Sequence, residues 1–181
     1  MKLVILDRDG VINEDSDAFI RSPDAWLPLP GSLDAIGRLN RASWRVVIAT
    51  NQSGLRRKLF DIETLNRIHD KMNRQLAEVG ARVDAIFICP CLPRENCACR
   101  KPAPGMLREI GERLRTPLAA VPYIGDKPTD LATARAAGAR PWLVRTGHGM
   151  RTEASTALDA DVRVFDDLAA AADALLAEQV A

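Results

Sequence analysis

The chain has 181 residues, 47% hydrophobic and 27% charged, and 25 Lys+Arg against 24 Asp+Glu leave a formal net charge of +1. That length suits one domain over residues 1–181 that needs no disulfides to hold its core, and that composition excludes disorder, collagen and a disulfide scaffold. So balanced a charge sets up no long-range field to attract nucleic acid or an anionic membrane, which points to a small-molecule partner.

The N-terminal run Leu3–Leu6 meets charge at Asp7, too soon for a signal-peptide core, and no later run approaches a membrane span. A cytoplasmic chain is expected, and with no assembly motif in view, a monomer. Apolar or β-branched runs then recur at Val46–Ala49, Ala85–Ile88, Val121–Ile124, Trp142–Val144 and Val162–Phe165. Helices are predicted between them at Ser32–Ala42, after Asp61, at Gly105–Leu114, at Pro128–Ala137 and at Leu168–Ala177. The second is the clearest, because Ile62, Leu65, Ile68, Met72, Leu76 and Val79 repeat at helical spacing and Gly80 supplies a stop. Strands alternating with helices predict an α/β fold with a parallel sheet covered on both faces, whose ligands bind at the carboxyl ends of the strands.

Those strand ends carry the unusual chemistry. Asp7-Arg8-Asp9-Gly10 follows the first strand directly, so two carboxylates leave an apolar environment at a sharp turn. Burying that charge is costly unless something compensates it. Mg²⁺, which prefers carboxylate oxygen, water and substrate phosphate, would do so, and Asp126 after the fourth strand offers it a further oxygen. Turn capping is the plainer role for an isolated aspartate; the joint occurrence of Asp7, Asp9 and Asp126 weighs against it.

Hydrolysis of a phosphate monoester asks an enzyme to lower the barrier by up to roughly 20 kcal/mol, and the residues for each role are present. Asp7 can attack phosphorus, which divides hydrolysis into formation and breakdown of an acyl phosphate. Asp9 can protonate the leaving oxygen and then, as a carboxylate, activate water. Thr50 and Asn51 offer a hydroxyl, an amide and backbone N–H groups to phosphoryl oxygens. Lys101, at a proline-rich helix entrance, would balance the charge of Asp7 and the phosphoryl group, and Arg100 adds a fork for a phosphate or hydroxyl. Arg56-Arg57-Lys58 reads as a solvated patch and is placed outside the site, although it follows the Thr50 loop and could help a second phosphate. His69, within the long helix, and His148, in a loop without a partner motif, receive no catalytic role.

The cysteines form two C-x-C pairs, Cys89-Pro90-Cys91 and Cys97-Ala98-Cys99, joined by a five-residue loop. Four thiolates suit a closed tetrahedral Zn²⁺ site over residues 89–99. Disulfides and idle core cysteines are the alternatives, and clustering in a chain of the reducing cytosol disfavours both. Because Cys99 abuts Arg100, zinc there would also steady the loop that presents Arg100 and Lys101.

Taken in order, Asp7-Arg8-Asp9-Gly10, Thr50-Asn51-Gln52-Ser53-Gly54, the cysteine loop, Cys99-Arg100-Lys101-Pro102 and Gly125-Asp126-Lys127 resemble the haloacid dehalogenase superfamily of phosphatases. Within it the chain looks like the D-glycero-D-manno-heptose 1,7-bisphosphate 7-phosphatases, close relatives of the histidinol-phosphate phosphatases, which share the zinc loop. The resemblance implies a Rossmann-like fold, and the intervals between Asp9, Thr50 and Lys101 leave no room for a large cap domain. It implies Asp7 as nucleophile and Asp9 as acid/base, with Mg²⁺ held by the Asp7 carboxylate, the Asp9 backbone carbonyl and Asp126. Thr50 and Lys101 would stabilise the phosphoryl group. Asp15, Ser16, Asp17, Ala18, Thr50, Asn51, Gln52, Ser53, Arg100, Lys101 and Lys127 would contact substrate, a sugar bisphosphate on the route to surface polysaccharide. Similar enzymes commonly carry histidine where this chain has Cys91. Histidinol phosphate is the nearest alternative substrate, and a non-catalytic zinc-stabilised binding protein is the alternative of another class.

Overall fold

Six strands, β1 (Lys2–Leu6), β2 (Trp44–Asn51), β3 (Ala85–Cys89), β4 (Pro122–Gly125), β5 (Arg140–Val144) and β6 (Arg163–Phe165), pair in the order β3-β2-β1-β4-β5-β6, and every pairing is parallel. The structure is a computed structural model that describes residues 1–155 and 158–178; residues 156–157 and 179–181 of the expected 1–181 domain lie outside the described residues. Helices α1 (Ser32–Arg41), α2 (Ile62–Glu78), α3 (Gly105–Arg113), α4 (Pro128–Ala137), α5 (Gly149–Ser155) and α6 (Leu168–Ala177) fill the connections. No helix among the described residues is long and apolar enough to cross a membrane.

Side chains alternate across a strand, and the sheet uses both faces. Val4, Leu6, Val46 and Ile48 join one core with Ile36 and Leu39 of α1, Ile68, Met72 and Leu76 of α2, and Leu168 and Leu175 of α6. Leu3, Ile5, Val47 and Ala49 turn the other way, onto Met106, Leu107 and Ile110 of α3 and Ala134 of α4. That is why these strands read as continuous apolar runs. Asp61 caps α2 by accepting from the Thr64 N–H at 2.8 Å, and Gly80, at φ +67°, follows its end.

Beyond shifts of a residue or two at strand ends, two departures from the expected elements are informative. β2 runs on through Thr50 and Asn51, which pair with Ile88 and Cys89; the predicted strand stopped at Ala49, where the apolar run stops. The ladder partner, not hydropathy, sets that end. α5 was not predicted either, because its sequence Gly149-Met150-Arg151-Thr152-Glu153-Ala154-Ser155 has no apolar stripe. The segments between β1 and α1 and between β3 and α3 hold only loops and one 3₁₀ turn, Pro93–Glu95, so no large cap is built there.

Candidate active site

The chain leaves β1 outward to β2 and β3, then returns to the other side of β1 as β4, so β1 and β4 flank a topological switch point. Asp7 follows β1 and Asp126 follows β4, which brings carboxylates 119 positions apart in sequence to one crevice. Asp7, Asp126 and Asp130 have ligand atoms within 4.8 Å of one another, and all three are buried. Glycine makes the space: a Cβ on Gly10, at φ +83°, or on Gly147, at φ +57°, would collide with the Asp126 carboxylate.

Lys101 reaches into this acidic cluster from the loop before α3. Its Nζ lies 2.8 Å from Asp7 Oδ2 and 2.8 Å from Asp130 Oδ1, and it donates to the Tyr123 hydroxyl at 2.9 Å. Asn51 anchors the lysine backbone: its Oδ1 accepts from the Lys101 N–H at 3.2 Å and its Nδ2 donates to the Lys101 carbonyl at 3.3 Å. Asp130 and Tyr123 escaped the sequence reading. The signal for Asp130 was its place four residues after Asp126, in the first turn of α4, where its Oδ2 accepts from the Asp126 and Lys127 N–H groups at 3.3 and 3.0 Å.

The charge balance differs among the acids. Burial raises Asp7 to about 6, against the pull of Lys101. Burial likewise raises Asp126 to about 7, with Lys127 opposing and Asp7 and Asp130 adding to the rise. Asp130 goes the other way: burial resists, yet Lys101 holds it below the usual carboxylate range. Asp126 Oδ2 accepts from the His148 N–H at 2.8 Å, while Oδ1 is buried without a hydrogen bond and has Lys127 Nζ at 3.6 Å. A buried carboxylate oxygen without a hydrogen bond, on an aspartate clustered with a second carboxylate of raised pKa, fits a hard divalent cation.

Asp9 lies outside that cluster. Its Oδ1 accepts from Arg8 Nε at 3.0 Å and Asn13 Nδ2 at 2.9 Å, and its Oδ2 from Arg8 Nη2 and Gln52 Nε2, both at 3.1 Å. Burial would raise its pKa, but the Arg8 charge and these bonds outweigh burial and lower it. Gln52 Nε2 also donates to Thr50 Oγ1 at 3.0 Å, tying the end of β2 to Asp9.

A cavity of about 420 Å³ opens over these groups, lined by Asp9, Asp15, Ser16, Asp17, Asn51, Gln52, Ser53, Arg100, Lys101 and Lys127 among others. Thr50 is buried, and Ala18 is exposed outside the lining. The sequence reading left Arg57 and His148 out, and the structure puts both on the cavity wall. Arg57 lies over the Phe19 ring at 5.9 Å, and His148 Nε2 sits 3.1 Å from Asp15 Oδ2, which also pairs with Lys127 at 2.7 Å. The signal for Arg57 was its place just after the Thr50 loop; His148 had none, because its approach depends on loops meeting across the strand ends.

Beside the cavity the four cysteine sulfurs lie within 4.8 Å of one another, and none forms a disulfide. Sulfur separations of 3.5 Å (Cys89–Cys97), 3.4 Å (Cys97–Cys99) and 2.9 Å (Cys89–Cys99) approach the edge of about 3.8 Å that a tetrahedron with metal–sulfur bonds of about 2.3 Å would have. Burial opposes ionisation of Cys97, but hydrogen bonds from the other three thiols bring it down to about 7. Arg100 Nη1 donates to the Cys91 carbonyl at 2.8 Å, joining the cluster to the cavity wall.

A D-glycero-β-D-manno-heptose-1,7-bisphosphate 7-phosphatase of Bordetella bronchiseptica is 60% identical to this chain over 98% of it and 99% of the relative. The chain belongs to that phosphatase family. Another heptose-1,7-bisphosphate 7-phosphatase, from Pseudomonas aeruginosa, is 48% identical over 96% of this chain and 97% of its own. A HAD-hydrolase-like family model matches residues 98–171. The crystal structure of the D,D-heptose 1,7-bisphosphate phosphatase of B. bronchiseptica, complexed with magnesium and phosphate, superposes with a TM-score of 0.96 over 98% of this chain and 99% of that one. Family and fold agree with the resemblance seen in the motifs.

Proposed function

We propose that the chain hydrolyses the 7-phosphate of D-glycero-D-manno-heptose 1,7-bisphosphate, with Asp7 as nucleophile. The observation that carries the chemistry is Asp7 buried at a strand end, paired with Lys101 and clustered with Asp126, one oxygen of which has no hydrogen bond. The relatives, matched over nearly their whole length, supply the substrate.

An Asp7 oxygen attacks phosphorus in line with the C7 oxygen, and Asp9 gives a proton to that departing oxygen. Water then attacks the phosphoryl-aspartate, with Asp9 taking its proton. The four donors around Asp9 favour its carboxylate form, the one that activates water. Its acid role requires phosphate entry to draw off a donor, and Gln52, on the cavity wall, is the one placed to turn toward phosphate. Asp7, the Asp9 carbonyl and Asp126 would hold Mg²⁺, which when bound neutralises charge on the phosphoryl oxygens. Lys101 balances Asp7 and the transferring group from below, and Thr50 and Asn51 present donors to it. Arg100 and Lys127 remain on the wall for the second phosphate, which stays on the product.

The test is phosphate release with Mg²⁺ from the heptose bisphosphate and from histidinol phosphate, side by side. A preference for the bisphosphate on the order of 10²-fold in kcat/KM is expected. The reverse preference would keep the mechanism and move the substrate; no release from either would reopen a binding role.

Cys89, Cys91, Cys97 and Cys99 would hold a structural Zn²⁺. Removing zinc with a chelator, then clearing the chelator and restoring Mg²⁺, is expected to lower the melting temperature by roughly 5–15 °C and to abolish turnover as the Arg100–Lys101 loop loosens. A melt insensitive to chelator but sensitive to reductant would instead assign disulfides.

A further inference from the structure

Arg8 lies between Asp7 and Asp9 in sequence, yet its side chain is 0% exposed. A guanidinium so placed needs an acceptor for each edge, since it can only donate. Nε and Nη2 grip the two oxygens of Asp9 at 3.0 and 3.1 Å, and the remaining arm, Nη1, stands 3.1 Å from Nε2 of His69. Because Arg8 has no lone pair to offer, His69 Nε2 must be the acceptor. The imidazole is therefore neutral, with its proton on Nδ1.

We infer that His69 is a positioning residue for Asp9: as a neutral acceptor it fixes the third arm of Arg8, and the Arg8 fork in turn fixes the carboxylate that moves protons. The inference rests on the proposed acid/base role of Asp9. α2 is suited to the task because it is anchored on both sides of His69. Ile68 and Met72 are buried in the core, and Lys71 Nζ donates to the Pro23 and Trp26 carbonyls at 2.8 Å each, pinning the loop that follows the catalytic turn. Without an acceptor at position 69, Nη1 is satisfied only if the guanidinium turns, and a rigid planar fork cannot turn without carrying both Asp9 contacts with it.

Gln and Met are alike in length and helix propensity, but Gln offers a strong amide-oxygen acceptor where Met offers only a weak thioether sulfur. Steady-state kinetics on the heptose bisphosphate are therefore compared for His69→Met and His69→Gln, alongside thermal melts. His69→Met is expected to lower kcat/KM by about 10- to 100-fold, and His69→Gln to recover most of it at a similar melting temperature. The loss is expected to be several-fold smaller on p-nitrophenyl phosphate, whose leaving group departs as a stable anion and needs little help from an acid. A merely structural defect would depress both substrates alike. Arg8→Lys, which keeps the charge and loses the fork, is expected to show the same substrate-dependent loss and supplies the test if His69→Met does not fold. Unchanged kcat/KM in His69→Met, equal losses on the two substrates, or no recovery with Gln would overturn the inference. In each of those cases an inactive Asp7→Asn control leaves the site reading standing; an active one would remove that reading and this inference with it.

Discussion

Asp7→Asn is expected to reduce phosphate release by about 10⁴-fold or more while the protein stays folded. The amide is nearly isosteric with the carboxylate, and its oxygen can still accept from the Arg8 N–H, which lies 2.7 Å from Asp7 Oδ1. Lys101 keeps Asp130 at 2.8 Å as its counter-charge, so no buried cation is orphaned. Burial already disfavours the charged form of Asp7, which offsets the loss of its pairing with Lys101, whose Nζ would then face the new amide N–H₂, so the melting temperature is expected to change little. What disappears is the nucleophile. Rapid quenching of the wild-type enzyme should trap a phosphorylated chain, and the Asn variant should give none. Turnover retained by Asp7→Asn would remove the covalent mechanism.

Magnesium affinity is expected to rise on the order of 10²- to 10³-fold between about pH 5 and about pH 8. Burial raises Asp7 to about 6 and Asp126 to about 7, so at the acid end both hold protons that a cation must displace. The same shifts act on the metal-free fold. A carboxyl whose folded pKa lies above its unfolded value of about 3.9 stabilises the fold below that value, and the contribution is lost as pH rises through the folded pKa. From these two groups the metal-free protein loses stability between about pH 4 and pH 7, where like charges come to lie together in a buried cluster. Magnesium restores it, so the rise in melting temperature on adding Mg²⁺ should be larger at pH 8 than at pH 5. Equal increments at the two pH values would mean that the cation binds elsewhere.

Many of the groups that gather at the strand ends are legible in the sequence, and the reason is local. A short apolar strand that breaks onto Asp7-Arg8-Asp9-Gly10 exposes its purpose in the sequence, because buried carboxylates at a strand end demand compensation. The two C-x-C pairs are equally local: once Cys89 ends a strand and Cys97 to Cys99 turn back beside it, few geometries separate the sulfurs. Asp130 was missed because a lone aspartate in the first turn of a helix has an ordinary explanation as a helix-terminus charge. Its pairing with Lys101 is visible only when the loop before α3 is seen to fold under β1.

His148 and Arg57 show the same limit from the other side. Each sits in a stretch that reads as a polar loop or a solvated patch, and each reaches the cavity through connections far apart in the chain. His69 is the sharpest case. From sequence it is one more residue on an amphipathic helix, and its meaning depends on a guanidinium 61 positions away whose third arm meets it once the other two hold Asp9.

Sequence alone determined the alternation of strand and helix, the residues at the strand ends and the chemistry those residues can perform, because periodicity and short-range motifs record which groups are buried and which turn outward. Tertiary structure decided the strand order that puts β4 beside β1, the gathering of Asp7, Asp126 and Asp130 with Lys101 set between Asp7 and Asp130, and the hydrogen bonds that hold Asp9. Those depend on distances between residues remote in the chain. Electrostatic balance in a dehydrated crevice is set by distance, and no local pattern encodes it.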